Sequence, residues 1–322
     1  MKNTLLLATA LMLSTFAMAQ FPGGGFGFGG QQNPAAQMEF SEKFTDINYA
    51  GDTLVYHNLD IYLPKEVKES YPVVIHIYGS AWFSNSSKGM ADLGTICNAL
   101  LKAGYAVVTP NHRSSGDAKY PAQINDIKAV VRFVRGEAEK YHFDTSFIGI
   151  SGFSSGGHLS TLTGTSGNNP SYTVGEKVYD LEGNVGNYTS LSSKVDAVCD
   201  WSGPIDLLHM DCKGARDMKF LPEEAVMGMP FEGNADHYMA LNATTYADKD
   251  DAPVIIFHGT EDNVVPSCQG EWLHEVLDKA GVYNEVNIVA GGGHGWGPMY
   301  TEENLGKMVS FLNKIRSEKS KK

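Results

Sequence analysis

Three residue types in a fixed order carry the chemistry this chain advertises. A serine hydroxyl is a poor nucleophile unless a base takes its proton and an acid orients that base. The segment 147–158 (FIGISGFSSGGH) holds Gly152-Phe153-Ser154-Ser155-Gly156, a G-x-S-x-G pattern between an apolar run and a helical pattern. In that context a sharp turn lifts Ser154 above a sheet edge, at a helix N-terminus, and the glycines allow the turn and close helix–strand packing. Asp262 follows the apolar run 253–258 (PVIIFH) within Gly259-Thr260-Glu261-Asp262-Asn263. His294 sits in Gly291-Gly292-Gly293-His294-Gly295-Trp296-Gly297, after the run 285–290. Alone, Asp262 reads as a turn or capping aspartate and His294 as a loop histidine. Together, three strand-end positions in the order Ser, Asp, His read as nucleophile, acid and base. Glu261 is the rival acid, ahead of Asp250 and Asp251. A phosphate-cradling turn is the bland alternative, and a dinucleotide site is disfavoured because G-x-G-x-x-G is absent from the first strand–helix turn.

Acyl transfer also needs backbone donors where negative charge develops. One is the N–H of Ser155, next after the nucleophile. The other belongs to the loop Gly79-Ser80-Ala81-Trp82, from Ser80 or Ala81, and the Ser80 hydroxyl is a further candidate donor. Tyr78, Trp82, Trp296 and His112 are the candidate substrate contacts, with Trp82 as a pocket wall and Arg113 beside His112. His158, His76 and His258 read as packed histidines. His209, Asp211 and Asp217 lack metal-ligand spacing, so no metal and no cofactor is expected.

The elements that must hold these residues follow from periodicity. Residues 55–63 alternate with period two, as a half-exposed strand does. Continuous apolar runs at 72–78, 105–110, 147–151, 196–201, 253–258 and 285–290 read as buried parallel strands. Helical patterns lie near 90–103, 121–134, 154–163, 267–280 and 301–315; the clearest sets Ile124, Ile127, Val131 and Val134 behind Pro121. Strands alternating with helices predict an α/β fold with a mostly parallel sheet covered on both faces. Two stretches, 165–195 and 205–250, break the rhythm and read as insertions over the sheet. Residues 314–322 read as a frayed helix end.

Of 322 residues 42% are hydrophobic, and the net charge is −12. An acidic chain of this kind lacks the basic face a nucleic-acid partner requires. Residues 1–19 have a lysine, a short apolar run and Ala17-Met18-Ala19, the pattern of a cleaved export signal. The run is too short to span a bilayer, and no later segment is long and apolar enough. Residues 20–38, rich in Gly, Phe and Gln, read as a flexible leader, and 39–322 as one catalytic domain. The reading is of an exported protein, periplasmic or secreted. Cys97, Cys199, Cys212 and Cys268 are available for disulfides in that setting, with Cys199–Cys212 the favoured pair and buried free thiols the alternative.

The stretches YPVVIHIYGSAWF, YPAQINDIKAVVRFVRGEAEKYHFD, FIGISGFSSGGHLS, VDAVCDWSGPIDL, APVIIFHGTEDNVVP and GGGHGW resemble the bacterial bifunctional feruloyl/acetyl-xylan esterase-like group of serine esterases. The resemblance covers roughly residues 44–317. It implies the α/β-hydrolase fold, a sheet of about eight strands with loop or cap insertions, and the roles already given to Ser154, Asp262 and His294. It also implies an acylated polysaccharide or oligosaccharide such as xylan as substrate; Ser80 and Ala81 crowd the donor loop, which puts acetyl ahead of feruloyl as the acyl group. One departure stands out. The group usually carries His-Gly-Gly-Gly-Trp where this chain has Tyr78-Gly79-Ser80-Ala81-Trp82. A lipase or peptidase using the same three residues is the alternative, and a non-catalytic carbohydrate-binding protein on this fold is the second alternative.

Overall fold

The computed structural model describes residues 38–210 and 221–321. The expected export signal, the leader up to residue 37, and Asp211, Cys212 and Asp217 lie outside the described residues. In chain order the elements are β1 (Phe40–Asn48), β2 (Asn58–Pro64), β3 (Tyr71–Ile77), α1 (Asn98–Lys102), β4 (Ala106–Pro110), α2 (Ala122–Gly136), β5 (Phe143–Phe153), α3 (Ser155–Thr165), β6 (Ser171–Val174), β7 (Lys177–Asp180), β8 (Ala197–Trp201), α4 (Pro222–Met227), α5 (Ala235–Tyr238), β9 (Val254–Gly259), α6 (Cys268–Ala280), β10 (Asn284–Val289) and α7 (Glu302–Lys319).

Eight strands form one sheet in the order β1-β2-β4-β3-β5-β8-β9-β10. From β4 to β10 every pairing is parallel, and β2 alone runs against its neighbours. Alternation within the buried strands splits their side chains between two cores. Val73, Ile75, Ile150, Val198 and Ile256 pack toward α2, α3 and α6. Val74, Phe147, Cys199, Trp201 and Phe257 pack toward α1 and α7. The period of two in a strand makes this partition automatic.

Several expectations change, and one strand is new. β1 was not read from the sequence; its register breaks between Phe40 and Glu42 and again between Phe44 and Ile47, which erases a clean alternation. Val55–His57 is a 3-10 turn rather than the start of β2. Met38, placed in the leader, is buried in the second core. Helix α7 does not fray at residue 314: Lys314 lies over the Tyr283 ring at 4.0 Å, and Lys319 pairs with Asp196 at 2.5 Å. The favoured disulfide is also overturned. Cys199 is a free thiol on the buried face of β8, Cys97 is likewise free and buried, and among the described cysteines Cys268 is disulfide-bonded.

The first insertion is an ordered hairpin, β6 against β7. It is pinned to α2 by Glu182, whose carboxylate meets Lys128 at 3.3 Å, Arg132 at 2.5 Å and the Ser193 hydroxyl at 2.7 Å. Lys128 and Arg132 are buried. Burial pushes the Lys128 amine below its ordinary pKa, and Glu182 opposes that shift. In the second insertion α4, α5 and a 3-10 turn (Ala243–Tyr246) lead to β9. No helix among the described residues is long and apolar enough to cross a membrane.

Candidate active site

The turn from β5 into α3 explains its own glycines. Ser154 sits at φ +55° and ψ −123°, a backbone well that side chains other than hydrogen rarely occupy. A Cβ on Gly152 would land 2.1 Å from the Gly156 carbonyl oxygen, and one on Gly156 would land 2.1 Å from that of Ile77. Strand and helix therefore touch through backbone alone. The Ser154 N–H donates to the Trp201 carbonyl at 2.8 Å, tying the turn to the end of β8.

Ser154, His294 and Asp262, separated by 140 and 32 residues in sequence, form one hydrogen-bonded chain. The Ser154 Oγ lies 2.9 Å from His294 Nε2, and His294 Nδ1 lies 2.8 Å from Asp262 Oδ2. A carboxylate only accepts, so Nδ1 carries the proton and Nε2 is left to accept from the serine. Asp262 Oδ1 takes the N–H groups of Val264 at 2.9 Å and Val265 at 2.8 Å. Burial alone would push this carboxyl up. The His294 hydrogen bond and charge, the nearby His258 and the Val265 N–H outweigh it and hold it below its ordinary value.

The acid turn and the histidine loop are sewn together. Glu261 N–H donates to the Gly292 carbonyl at 2.8 Å, and Gly291 N–H donates to Thr260 Oγ1 at 2.9 Å. A Cβ on Gly259 would fall 2.1 Å from the Gly292 oxygen, so these two glycines set the spacing. Phe153 packs on the His294 ring at 4.8 Å between centroids. The rival acids stand elsewhere: Glu261 is exposed, Asp250 pairs with Lys249, and Asp251 accepts the Asp248 N–H.

The loop after β3 approaches the serine from the other side. A Cβ on Gly79 would sit 2.8 Å from Ser154 Cβ. The Ser80 N–H is already engaged, donating to the Ser155 hydroxyl at 2.9 Å. The Ser80 hydroxyl accepts a long contact from the Ser84 N–H at 3.4 Å. Ala81 and Trp82 both adopt positive φ, +49° and +61°. The Ser155 N–H is the first in α3, a position with no acceptor inside its own helix.

Three expected substrate contacts are interior instead. Trp82 is 2% exposed and meets His158 edge-on at 5.2 Å. The left-handed backbone at Trp82 turns its indole inward. Tyr78 stacks on His112 at 5.0 Å, and both are buried. Arg113 is consumed by Asp126 in a forked contact. Trp296, in contrast, is exposed. His158 is the packed histidine expected: its Nε2–H donates to the Leu241 carbonyl at 2.8 Å, and burial lowers its pKa to about 4, so it is neutral. His258 is buried and bonds the Val265 carbonyl at 2.8 Å. His209 pairs with Asp206 on the surface. No cluster of metal-ligating side chains occurs among the described residues.

Sequence reasoning missed a second Ser–His–Asp chain. Ser151 Oγ lies 3.1 Å from His76 Nδ1, and His76 Nε2 lies 3.2 Å from Asp92 Oδ2. The pair is set by strand register, Ser151 on β5 facing His76 on β3, which the sequence alone does not reveal.

A mostly parallel eight-stranded sheet, helices on both faces, and a strained serine turn with acid and histidine on following strand-end loops define an α/β-hydrolase. The chain belongs to the BD-FAE family, whose model matches residues 59–277. A solved truncated carbohydrate esterase from gut microbiota is 46% identical, with a TM-score of 0.83 over 86% of this chain and 97% of that one. A bifunctional GH43-CE from Bacteroides eggerthii is 49% identical, with a TM-score of 0.80 over 85% of this chain and 35% of that one. Esterase LipQ of Mycobacterium tuberculosis is 29% identical over 210 residues, 65% of this chain and 46% of that protein. The chain spans about half the length of the curated relatives it matches.

Proposed function

We propose that this protein is an exported serine carboxylesterase that removes acyl groups, acetyl above all, from plant-wall polysaccharide such as xylan. The observation that carries it is the hydrogen-bonded Ser154–His294–Asp262 chain on the strained turn after β5. The names of the two carbohydrate-esterase neighbours support the sugar ester, and the pattern of residues 1–19 supports export.

In this reading Ser154 Oγ attacks the ester carbonyl carbon while its proton passes to His294 Nε2. Asp262, held ionised, steadies the imidazolium. The carbonyl oxygen becomes an anion facing the N–H groups of Ser155 and Ala81. Ala81 takes the second place because the Ser80 N–H is spent on Ser155. The carbon–oxygen bond to the alcohol breaks as His294 returns its proton to the leaving oxygen. Water, deprotonated by His294, then attacks the acyl carbon, and Ser154 leaves with the proton restored. The buried Asp262 and the packing of Phe153 on His294 keep this geometry without a moving part.

The test is direct. Residues 20–322 are incubated with acetylated and with feruloylated arabinoxylan, with Ser154→Ala as control, and free acetate and ferulate are measured by chromatography. Acetate release that depends on Ser154 is the expected result. No release of either acid by a folded protein overturns the assignment.

A further inference from the structure

We infer that Trp296 forms a platform for the sugar of the leaving alcohol, an inference that rests on the esterase reading above. His294 Nε2 returns the proton to the alcohol, so the alcohol half of the ester lies against the histidine turn and the acyl oxygen lies against Ser155. Trp296, two residues on, is 51% exposed, the most exposed aromatic residue among those described. Single exposed apolar residues are ordinary on any surface. This one is fixed in place. Its indole lies against the backbone of Gly293, where a Cβ would meet Cε2 at 1.8 Å, and the Gly293 N–H donates to the Trp296 carbonyl at 3.2 Å. Any other residue at 293 would displace the ring. A flat, anchored, water-facing indole on the loop that carries His294 matches the C–H face of a pyranose, whose hydroxyls stay in water. The net charge of −12 argues for a neutral sugar over an anionic alcohol.

The experiment holds the acyl group constant and changes the alcohol. Acetylated xylo-oligosaccharide and 4-nitrophenyl acetate are compared in Trp296→Ala and Trp296→Tyr. The ratio of kcat/KM on the sugar ester to that on the aryl ester falls about tenfold in Trp296→Ala, mostly through KM, and recovers in Trp296→Tyr. A ratio within about twofold of the parent overturns the platform while leaving the esterase standing. Absence of Ser154-dependent hydrolysis of either ester by the parent would instead remove the reading beneath it.

A different observation carries a second inference. The Ser155 hydroxyl, buried at the head of α3, accepts the Ser80 N–H across 75 residues of sequence. It joins the helix that supplies one oxyanion donor to the loop that supplies the other, and that loop holds two non-glycine residues at positive φ. We propose that Ser155 is a positioning residue that latches this strained loop so that the Ala81 N–H faces the developing anion. Ser155→Ala is expected to lower kcat about tenfold to a hundredfold, less than losing a donor outright, with KM nearly constant. Affinity for a boronic-acid analogue of the tetrahedral intermediate falls in parallel, and Ser155→Thr restores both. A Ser155→Ala enzyme that loses melting temperature but keeps kcat and analogue affinity overturns the latch.

Discussion

Among the described residues two Ser–His–Asp chains begin three residues apart, one at a serine inside β5 and the other at a serine just past its end, and only the second stands on a strained turn. Ser154–His294–Asp262 and Ser151–His76–Asp92 have similar heavy-atom distances, 2.9 and 2.8 Å against 3.1 and 3.2 Å. Their surroundings differ. Ser154 sits on a strained turn past the end of β5, whereas Ser151 lies inside the strand with no exposed surface. The rings are also reversed: His294 offers Nε2 to its serine, and His76 offers Nδ1. This chain joins β3, β5 and the segment at Asp92: Ser151 and His76 are buried, and Asp92 closes it from a partly exposed position. Residue type and spacing therefore identify a hydrogen-bonded chain, and backbone strain with an open approach makes it chemical.

The comparison breaks most sharply at the serines. Ser154→Ala is expected to lower kcat on an acetyl ester by about a millionfold. Ser151→Ala is expected to change it less than about threefold, as initial rates on 4-nitrophenyl acetate will show. Equal losses would erase the distinction. The acids come next. Asp262→Asn leaves the wrong imidazole tautomer facing Ser154, costing about 10⁴ in kcat. Asp92→Asn disturbs the partner of the buried His76 instead, costing about 1–3 kcal/mol of stability in denaturant titration with kcat largely kept.

A fully buried acid with no histidine beside it, Asp200, sharpens the contrast. Asp200 Oδ1 accepts the Gly203 N–H at 3.0 Å, and Oδ2 has no partner among the described residues. Burial raises its pKa from 3.8 to about 7. The folded state thus holds a proton that the unfolded chain releases, so stability falls as pH rises from about 4 to about 7 and is flat above. Asp200→Asn removes that slope: its melting temperature exceeds the parent's by a few degrees at pH 8, and the two coincide near pH 4. A smaller effect is expected from His158→Gln, whose parent side chain is held neutral. Folded His158 resists protonation, so the parent loses stability as pH falls from 6.5 toward 4, and the variant's melting temperature should lack that decline.

The Ser154–His294–Asp262 chain was legible in the sequence because its parts sit at strand ends, which apolar runs mark. Ser154, Asp262 and His294 each follow such a run, and the flanking glycines announced the close contacts found at Gly152 and Gly156. The silent chain was not legible, because His76 and Ser151 lie within runs where nothing distinguishes a paired polar group from an isolated one. Tyr78, Trp82 and His112 misled for a related reason. Aromatic and imidazole side chains just past a strand read as rim residues, and only the positive φ of Trp82 and the Tyr78–His112 stack turn them inward. The Ser80–Ser155 bond and the bulged strand β1 depend on long-range register, which local pattern does not encode.

The carboxylate of Glu182 has a consequence for how the molecule opens. It is carried by the hairpin segment, yet it neutralises two cations that α2 holds in the interior. Peeling the hairpin away strands the buried Lys128 and Arg132 without their counter-charge, the unfavourable way to break an ion pair. The hairpin therefore cannot breathe as an independent surface loop. In native-state hydrogen exchange its amides and those of α2 should exchange as one cooperative unit, and a chain shortened by deletion of 167–194 should lose the helix along with the decoration.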